Sequence, residues 1–588
     1  MEFIKNNNYI NLEEQESSIF SDMNNNPALK NTLNYHIEGI NEARNLILSY
    51  LHKPIRVIAD YDTDGIMSGK GLSLGFSMIG AKNVEVLIPE REDGYGGKPE
   101  YIDNFKLNED ALIIFVDNGI VAFDAIDRAK ELGYKVIVID HHDGDINQCK
   151  ADVVIDGHAG TKSDFIDYCS AGQVFKLWQS FSEIGFITST QLNILSTYAA
   201  IGTIGDVVNL IEKQDNQDFP AKTRYDNWNI VKNGLKIIND RKFMREHNEL
   251  KNLRILLKNV FPDYDNDTVQ LSYENISWTL VPTINAAGRI KSPKIAYEQL
   301  TTKDNYMMQS LAKDLIAYND TRKALTTEQV NIALSSVNLE KQAVVYVTDK
   351  MLSGLAGLVA AALCGASKVP TFVGINSNGL VKGSARCPEQ YNLLTILDNI
   401  QWLDKKKVDE LNTQYRLNKI DKDTYDEEIE KLKAPTYLNT LNYGGHQGAA
   451  GFSVSEDELE VFTSLVNHFA GERKVSINVL NYDFTIKEAD IEDNLKILDE
   501  NAPYGPGHPV PVMKVHNYDA ILLKTTPKSL KLTGRTTEAI HFKGDMSLTP
   551  TKIGKYNIYG TLGRNTWEGV TKTQIKMIDI EQSDDFER

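Results

Sequence analysis

Cysteine is scarce in this sequence, long apolar runs are missing, and positive charge is in deficit. Four cysteines in 588 residues, Cys149, Cys169, Cys364 and Cys387, form no CxxC pair. That excludes a disulfide framework and a zinc ribbon, and fits free thiols in a reducing cytoplasm. No apolar run approaches the ~20 residues that span a bilayer. The opening MEFIKNNNYINLEEQESS lacks the apolar core of a signal peptide. The expectation is a cytoplasmic protein with no membrane association. Lys plus Arg number 63 against 81 Asp plus Glu, a net charge of -18. A generic nucleic-acid binder carries a basic excess. The overall charge argues against that class but leaves room for a basic surface on one domain.

What is present is an ordinary globular composition, 41% hydrophobic and 24% charged, of a length that suggests about three to five domains. Residues 1–50 begin polar and Asn-rich and turn helical near residue 38, which reads as an N-terminal cap. Five β-rich runs follow: IRVIAD (55–60), VEVLIP (84–89), ALIIFVD (111–117), KVIVID (135–140) and DVVID (152–156). Helical stretches lie between most of them. Near-continuous apolar strands with helical crossovers predict an α/β fold with a parallel sheet covered on both faces, its sites at the C-terminal strand ends.

The stretch 296–340 reads as a long connecting helix after a first domain at 51–295. A second, smaller α/β pattern runs from QAVVYVTD to about 475. Within it, residues 403–433 are charged and helical on both sides of a polar break, like an inserted helical hairpin. From 476 to 588, short alternating strands with Gly, Pro and Asn turns predict a small β-barrel.

Three of the sheet strands end in acids. VIADYDTDG sets Asp60, Asp62 and Asp64 at alternate positions, so a persisting strand would point all three to one side. FVDNG ends in Asp117, IDHH in Asp140, His141 and His142, and GTIGD in Asp206. A lone acid after a strand is usually a helix cap or a solvated end. Five or more carboxylates at one sheet edge, however, repel each other unless cations intervene. Oxygen donors with an imidazole suit Mn²⁺ or Mg²⁺ better than a thiolate zinc site. A shared carboxylate between two ions would make a two-metal hydrolytic centre.

In this order, DYDTDG, VDNG, DHH and GTIGD resemble the four motifs of the DHH phosphoesterase superfamily. Later segments are similar to its RecJ branch, the 5′→3′ single-strand-specific exonucleases. They are PTINAAGRI (282–290), NDTRK (319–323), SGLAGLVAAAL (353–363), KGSARC (382–387), GGHQGAAGF (444–452), APYGPGHPVPV (502–512) and NTWEG (565–569). The resemblance implies a parallel-sheet DHH domain, a long helix, a DHH-associated domain and a C-terminal OB-like barrel. It implies Asp62, Asp64, Asp117, His141 and Asp206 as ligands of two Mn²⁺ or Mg²⁺ ions, with Asp117 bridging. His142 would act at the scissile phosphate, Asp140 would orient a histidine, and Asp60 would ligate directly or support the ligands. Some relatives carry a histidine ligand where this chain has Ile58.

By the same resemblance Arg289 would contact phosphate. Ser384, Arg386, Gly445 and His446 would hold the 5′-terminal nucleotide, while Leu352 replaces a polar or basic residue common there. The implied activity is release of 5′-mononucleotides from single-stranded DNA in repair or recombination, by a monomer whose further partners would be a single-strand-binding protein or a helicase. The alternatives are a DHH phosphodiesterase of short oligonucleotides or cyclic dinucleotides, and a catalytically silent scaffold. The ~110 residues beyond GGH favour a long strand.

The barrel region holds a charge excess of the opposite sign. Pro503 to Lys576 contains about 11 Lys plus Arg against 4 Asp plus Glu. Lys528, Lys531 and Arg535 are the expected phosphate track. Trp567, Tyr504 and Phe542 are candidates for stacking on bases, with core packing an equally good account of each.

Overall fold

The computed structural model describes residues 2–5, 36–105, 110–214, 222–417, 419–474, 479–526, 529–542, 549–567 and 570–583. Two units divide the chain. One comprises residues 36–206 and 233–475, the other 1–35, 207–232 and 476–588. The units cross the linear boundaries drawn from the sequence, and the described parts of residues 1–50 fall in both. Glu2–Lys5 pairs in parallel with Val479–Tyr482 in the smaller unit, whereas helix α1 (Ile40–Ser49) belongs to the larger. Residues 207–232 also leave the first domain. Within the smaller unit Leu210 N–H donates to Pro506 O at 2.8 Å, and Trp228 Nε1 to Asn501 O at 3.3 Å.

The larger unit opens with five parallel strands, β1 (Ile55–Ala59), β2 (Val84–Leu87), β3 (Leu112–Val116), β4 (Lys135–Ile139) and β5 (Val153–Ile155). Their order across the sheet is β2-β1-β3-β4-β5. β1 and β3 are buried at every position, as expected of strands covered on both faces. The connections run outward on both sides of the β1–β3 pair, so a crevice opens between their C-terminal ends. Helices α2 (Thr63–Met78) and α3 (Phe123–Glu131) make crossovers. Helices α4 (Ser170–Glu183) and α5 (Ser189–Gly205) pack on α2.

Helix α6 (Val281–Ile290) leads by a short helix to α7 (Asn305–Ser336), 32 residues long. The predicted connecting helix is therefore shorter than 296–340, because Asp304 caps it through Tyr306 and Met307 N–H. A second, mixed sheet holds β6 (Val344–Thr348), β7 (Thr371–Ser377), β8 (Leu380–Arg386), β9 (Asn442–His446) and β10 (Ala449–Ser455). It is ordered β9-β10-β8-β7-β6, and helix α8 (Ala356–Ser367) packs on β7 and β8. The stretch 403–433 is a helical pair, α9 (Lys405–Arg416) and α10 (Lys422–Leu432).

In the smaller unit, helix α11 (Ile491–Glu500) shares its core with a sheet of seven strands. They are β11 (Phe484–Lys487), β12 (Met513–Ala520), β13 (Leu522–Thr525), β14 (Ser529–Thr533), β15 (Glu538–Phe542), β16 (Gly554–Trp567) and β17 (Val570–Gln582). Their order is β11-β12-β16-β17-β15-β14-β13. β12 lies near one edge and β13 at the other, yet only Ile521 separates them in sequence. The sheet therefore curls round, with Val515, Tyr518, Ile558 and Ile575 in its core.

Candidate active site

The acids gather at the C-terminal ends of β1, β3 and β4, three adjacent strands. Asp60, Asp62 and Asp64 do not alternate along one strand, contrary to the expectation from the first motif. The chain leaves the strand after Ala59, and Asp62 becomes the N-cap of α2, its Oδ1 accepting from Asp64 N–H (2.9 Å) and Gly65 N–H (3.2 Å). Capping satisfies amides that a continuing strand would not offer. A Cβ at residue 65 would stand 2.4 Å from Asp60 O, so only glycine permits this turn. Asp64 sits in the first turn of α2. Its carboxylate accepts from Ser170 N–H (2.8 Å) and Ala171 N–H (3.0 Å) at the start of α4.

Asp117 has a left-handed backbone, φ 67°. This uncommon conformation for a residue with a side chain often marks a site under functional constraint. Its Oδ1 accepts from Ser170 Oγ at 3.1 Å. Asp206 caps the C-terminus of α5, where the helix dipole disfavours an anion. Burial first, then neighbouring carboxylates, pushes Asp60, Asp117 and Asp206 well above the usual carboxylate range, and Asp64 to about 6.

His141 supplies the test of what belongs here. Burial, then His142, holds its imidazole down at about 3, so it is neutral. Its Nε2 is buried and makes no hydrogen bond. That lone pair faces Asp117 Oδ1 at 3.2 Å, Asp206 Oδ2 at 3.5 Å and Asp64 Oδ2 at 3.9 Å. A buried ring nitrogen without a hydrogen-bond partner among carboxylates is a donor set that suits a divalent cation. Asp64, His141 and Asp206 form one candidate ligand group, Asp60, Asp62 and Asp117 a second, and Asp117, His141 and His142 a third, so Asp117 is common to two of the three.

His142 is held differently. Its Nδ1 lies 2.7 Å from both Asp140 Oδ1 and the Tyr95 hydroxyl oxygen. The Tyr95 O–H in turn donates to Asp117 O at 3.2 Å. Burial alone would lower His142, but the Asp140 hydrogen bond and charge outweigh it and raise the imidazole to about 9. Asp140, fully buried, accepts from Ile120, His141 and His142 N–H. Burial is outweighed there too, by His142, and Asp140 stays charged.

The remaining expected residues lie on the surrounding elements of the same unit. Arg289, in the last turn of α6, donates from Nη1 to Gly354 O at 2.9 Å. Burial, then Arg91 and Arg322, lowers it to about 9. Crowded cations of this kind suit an anionic ligand. Thr63 Oγ1 and Asn285 Oδ1, 2.9 Å apart, tie α6 to the start of α2. Ser384 and Arg386 alternate on β8. A Cβ at Gly357 would lie 3.1 Å from Arg386 Nη2 and 3.6 Å from Ser384 Oγ, which places both beneath α8. Arg386, Ala449 and His446 stand in register across three strands, so Arg386 and His446 share a face. Gly445 adopts φ 140°, and a Cβ there would meet Ala449 O at 2.4 Å. Leu352 is exposed, and Ile58 is buried in the core against the sheet.

With this geometry in view, the chain can be compared with known proteins. Residues 54–205 match the DHH family, N-terminal domain, and residues 482–579 match the RecJ OB domain. The Bacillus subtilis single-stranded-DNA-specific exonuclease RecJ is 24% identical over 572 residues, covering 94% of this chain and 64% of that protein. The Thermus thermophilus protein of the same name is 26% identical over 569 residues, covering 94% and 72%. The structure of Thermus thermophilus RecJ in complex with Mn²⁺ superposes with a TM-score of 0.72 at 22% identity, covering 93% of this chain and 72% of that one. This chain is thus similar to RecJ proteins, with a match to the DHH domain at 54–205 and to the RecJ OB domain at 482–579. It spans a little under two thirds of the Bacillus relative's length.

Sequence reasoning missed several residues of the RecJ-like site. Tyr95 and Arg91 come from PEREDGYGG after β2, whose Gly-rich, charged composition marks a loop on the active-site edge but no role. The Arg91 guanidinium stands 4.5 Å from the Tyr61 ring centroid. Ser170 and Ala171 contribute chiefly backbone N–H groups, which no motif displays. Asp156, at the end of β5, is the counter-example. It accepts from His158 and Ala159 N–H (3.0 Å each), so it caps a turn.

The barrel's expected track is engaged in ion pairs. Lys531 Nζ lies 2.7 Å from Glu538, and Arg535 Nη2 2.9 Å from Asp519. Arg564 pairs with Glu492 and Asp499, and Lys514 with Glu581. The acids outside the window counted from the sequence thus offset part of the excess. Lys528 and the Trp567 side chain lie outside the described residues. Tyr504 is a packing residue, donating to Leu498 O and stacked on His508. Phe542 is 69% exposed. All four cysteines are free. No helix among the described residues is long and apolar enough to cross a membrane.

Proposed function

We propose that this chain is a single-strand-specific 5′→3′ exodeoxyribonuclease that hydrolyses the first internucleotide linkage at a centre for two Mn²⁺ or Mg²⁺ ions. The observation that carries the reading is the unpartnered His141 Nε2 facing three carboxylates. Asp64, His141 and Asp206 would hold one ion, Asp60 and Asp62 the other, with Asp117 common to both. Bound ions supply positive charge to the phosphate oxygens and lower the pKa of water near neutrality.

The chain's own residues do the rest. His142, charged at neutral pH and oriented by Asp140 and Tyr95, gives a proton to the departing 3′ oxygen. As water adds to phosphorus the P–O3′ bond breaks. A 5′-mononucleotide leaves, and the shortened strand keeps a 5′-phosphate. Arg289 neutralises the phosphate. Ser384, Arg386 and His446, with Gly445 leaving room for close approach, hold the 5′ terminus so that the first linkage lies over the acids. The barrel binds the strand through Lys528, Lys531 and Arg535, the last two exchanging a carboxylate for phosphate, and through Trp567. The setting is DNA repair or recombination in the cytoplasm, as a monomer, with a single-strand-binding protein or helicase presenting the substrate.

The test is digestion of single-stranded DNA, duplex DNA, RNA and a dinucleotide with Mn²⁺ and with EDTA. Mononucleotide release from single-stranded DNA alone, abolished by EDTA, is expected. Cleavage of the dinucleotide alone, or no cleavage, overturns the reading.

A further inference from the structure

The inserted pair α9–α10 has no part in the chemistry above, yet it reaches the catalytic loops. It is self-contained at its base. Trp402 and Lys433 form an antiparallel bridge, and Leu403 N–H donates to Leu432 O at 2.8 Å. Val408, Leu411 and Leu432 form a small core of its own. Its base is thus closed by contacts of its own, apart from those it makes with the DHH domain.

That contact is polar and local. Gln148 Nε2 donates to Thr413 Oγ1 at 2.8 Å. Arg416 Nε donates to Gln148 O at 3.0 Å, and its guanidinium lies 3.9 Å from the Phe123 ring centroid and 3.5 Å from Asp127 Oδ2. Phe123 follows Asp117 by six residues, and Gln148 follows His142 by six. The hairpin therefore grips the first turns of α3, directly after the β3 loop, and the segment that leaves β4. On the β1 side, the two domains already meet where Arg289 donates to Gly354 O. A Cβ at Gly354 would come within 2.6 Å of the Arg289 backbone, so that junction is tight. The row of acids thus lies between two crossings from the DHH-associated domain.

We propose that the hairpin is a clasp, latched by Arg416, that closes the cleft over the acids into a ring and retains a bound single strand between successive cuts. This rests on the nuclease reading for its substrate. The latch contacts are hydrogen bonds, one ion pair and one cation–π contact, each weak by itself. An encircled strand can leave only by sliding out along its length, so closure acts on the rate of escape more than on capture.

The experiment uses the full chain and two variants. One is Arg416→Ala. The other replaces residues 404–432 by two glycines, which the Trp402–Lys433 bridge accommodates. A labelled 60-nucleotide single strand is bound in EDTA and chased with excess unlabelled strand, so that escape is read without cleavage. Escape is expected to be at least fivefold faster in both variants. With Mn²⁺ and the same chase, nucleotides removed per binding event should fall by a similar factor, while cleavage of a pentanucleotide stays within twofold. Unchanged escape in both variants overturns the clasp. So does a parallel loss of pentanucleotide cleavage without faster escape, which would make the hairpin a buttress for the loops. If the wild-type chain binds the strand but never cuts it, the nuclease reading fails while the escape rates still judge the clasp.

Discussion

Asp140 Oδ1 lies 2.7 Å from His142 Nδ1, and the same carboxylate accepts three backbone N–H groups from the loops carrying Asp117 and His142. One buried acid thus fixes the shape of two loops at the acid cluster and holds the charge of the histidine between them. Asp140→Asn keeps the side chain's size but loses the charge and one accepting oxygen, either that of Ile120 N–H or that of His141 and His142 N–H. Its turnover is expected to fall by about 10²–10⁴, the range for a lost general acid. Because both residues act on one proton, Asp140→Asn with His142→Ala should be hardly slower than His142→Ala alone. Rates from the double-mutant cycle, with the Mn²⁺-induced rise in Tm as the control for an intact ion site, check this.

Asp117→Ala removes the carboxylate common to two donor groups. Cleavage should be abolished while single-strand affinity stays within about threefold. Asp60, Asp62, Asp64 and Asp206 all repel this carboxylate, Asp64 most. The ion-free variant should therefore be more stable than the ion-free wild type, by about 1–3 kcal/mol, and should gain less Tm from Mn²⁺. Urea unfolding in EDTA and in Mn²⁺ gives both numbers. An ion-free variant less stable than wild type would mean that lost hydrogen bonding and packing outweigh the relief of repulsion at this position.

Lys70 of α2 is buried on the face away from the acids, its Nζ 5.7 Å from the Tyr198 ring centroid. Burial lowers it to about 8, with Glu249 opposing weakly. Between pH 8 and its ordinary value of 10.5 the unfolded chain holds more of this proton than the folded one. The contribution of Lys70 to stability therefore rises across that window and is least favourable below pH 8. Lys70→Met is expected to be about 1–3 kcal/mol more stable than wild type at pH 7. The difference should shrink towards pH 10.5. Denaturant melts at pH 7, 8.5 and 10 measure it.

In the barrel, Asp519 holds Arg535. Asp519→Asn frees that guanidinium and should raise single-strand affinity two- to fivefold at low salt, with the gain fading as salt rises. Replacing Lys528, Lys531 and Arg535 together by Ala should reduce the slope of log affinity against log salt by about 2, from ~0.7 per phosphate contact. Fluorescence anisotropy over a salt series checks both. An unchanged slope moves the track elsewhere.

The sequence carried the parts of this site that are local. Apolar runs ending in acid mark β1, β3 and β4, and the four motifs name most of the donors. What it did not carry is whatever depends on distant chain meeting. Asp62 looks like one of three alternating strand residues, and only the amides of residues 64 and 65 make it a cap. Ser170 is silent because its main contribution to the Asp64 carboxylate is a backbone N–H. Tyr95 sits in a loop with no periodicity. The charged hairpin was legible as two helices, but Arg416 reaching Phe123 joins residues almost three hundred positions apart, and nothing in either segment announces the other. The barrel's charge excess was legible too, though its neutralisation by Glu492, Asp499 and Glu581 was not, because those acids fall outside the basic stretch.

The pairing of Glu2–Lys5 with Val479–Tyr482 has a consequence for biogenesis. On the ribosome, the first of these strands is made some hundreds of residues before its partner, a delay on the order of half a minute or more at 5–20 residues per second. Residues 207–232 wait in the same way for residues 501 and 506. The larger unit can be complete and packed while these two segments are still without their places in the smaller one. Nascent chains of this protein thus spend much of their synthesis with an unsealed second unit, and a chaperone that shields strand edges would act in that interval.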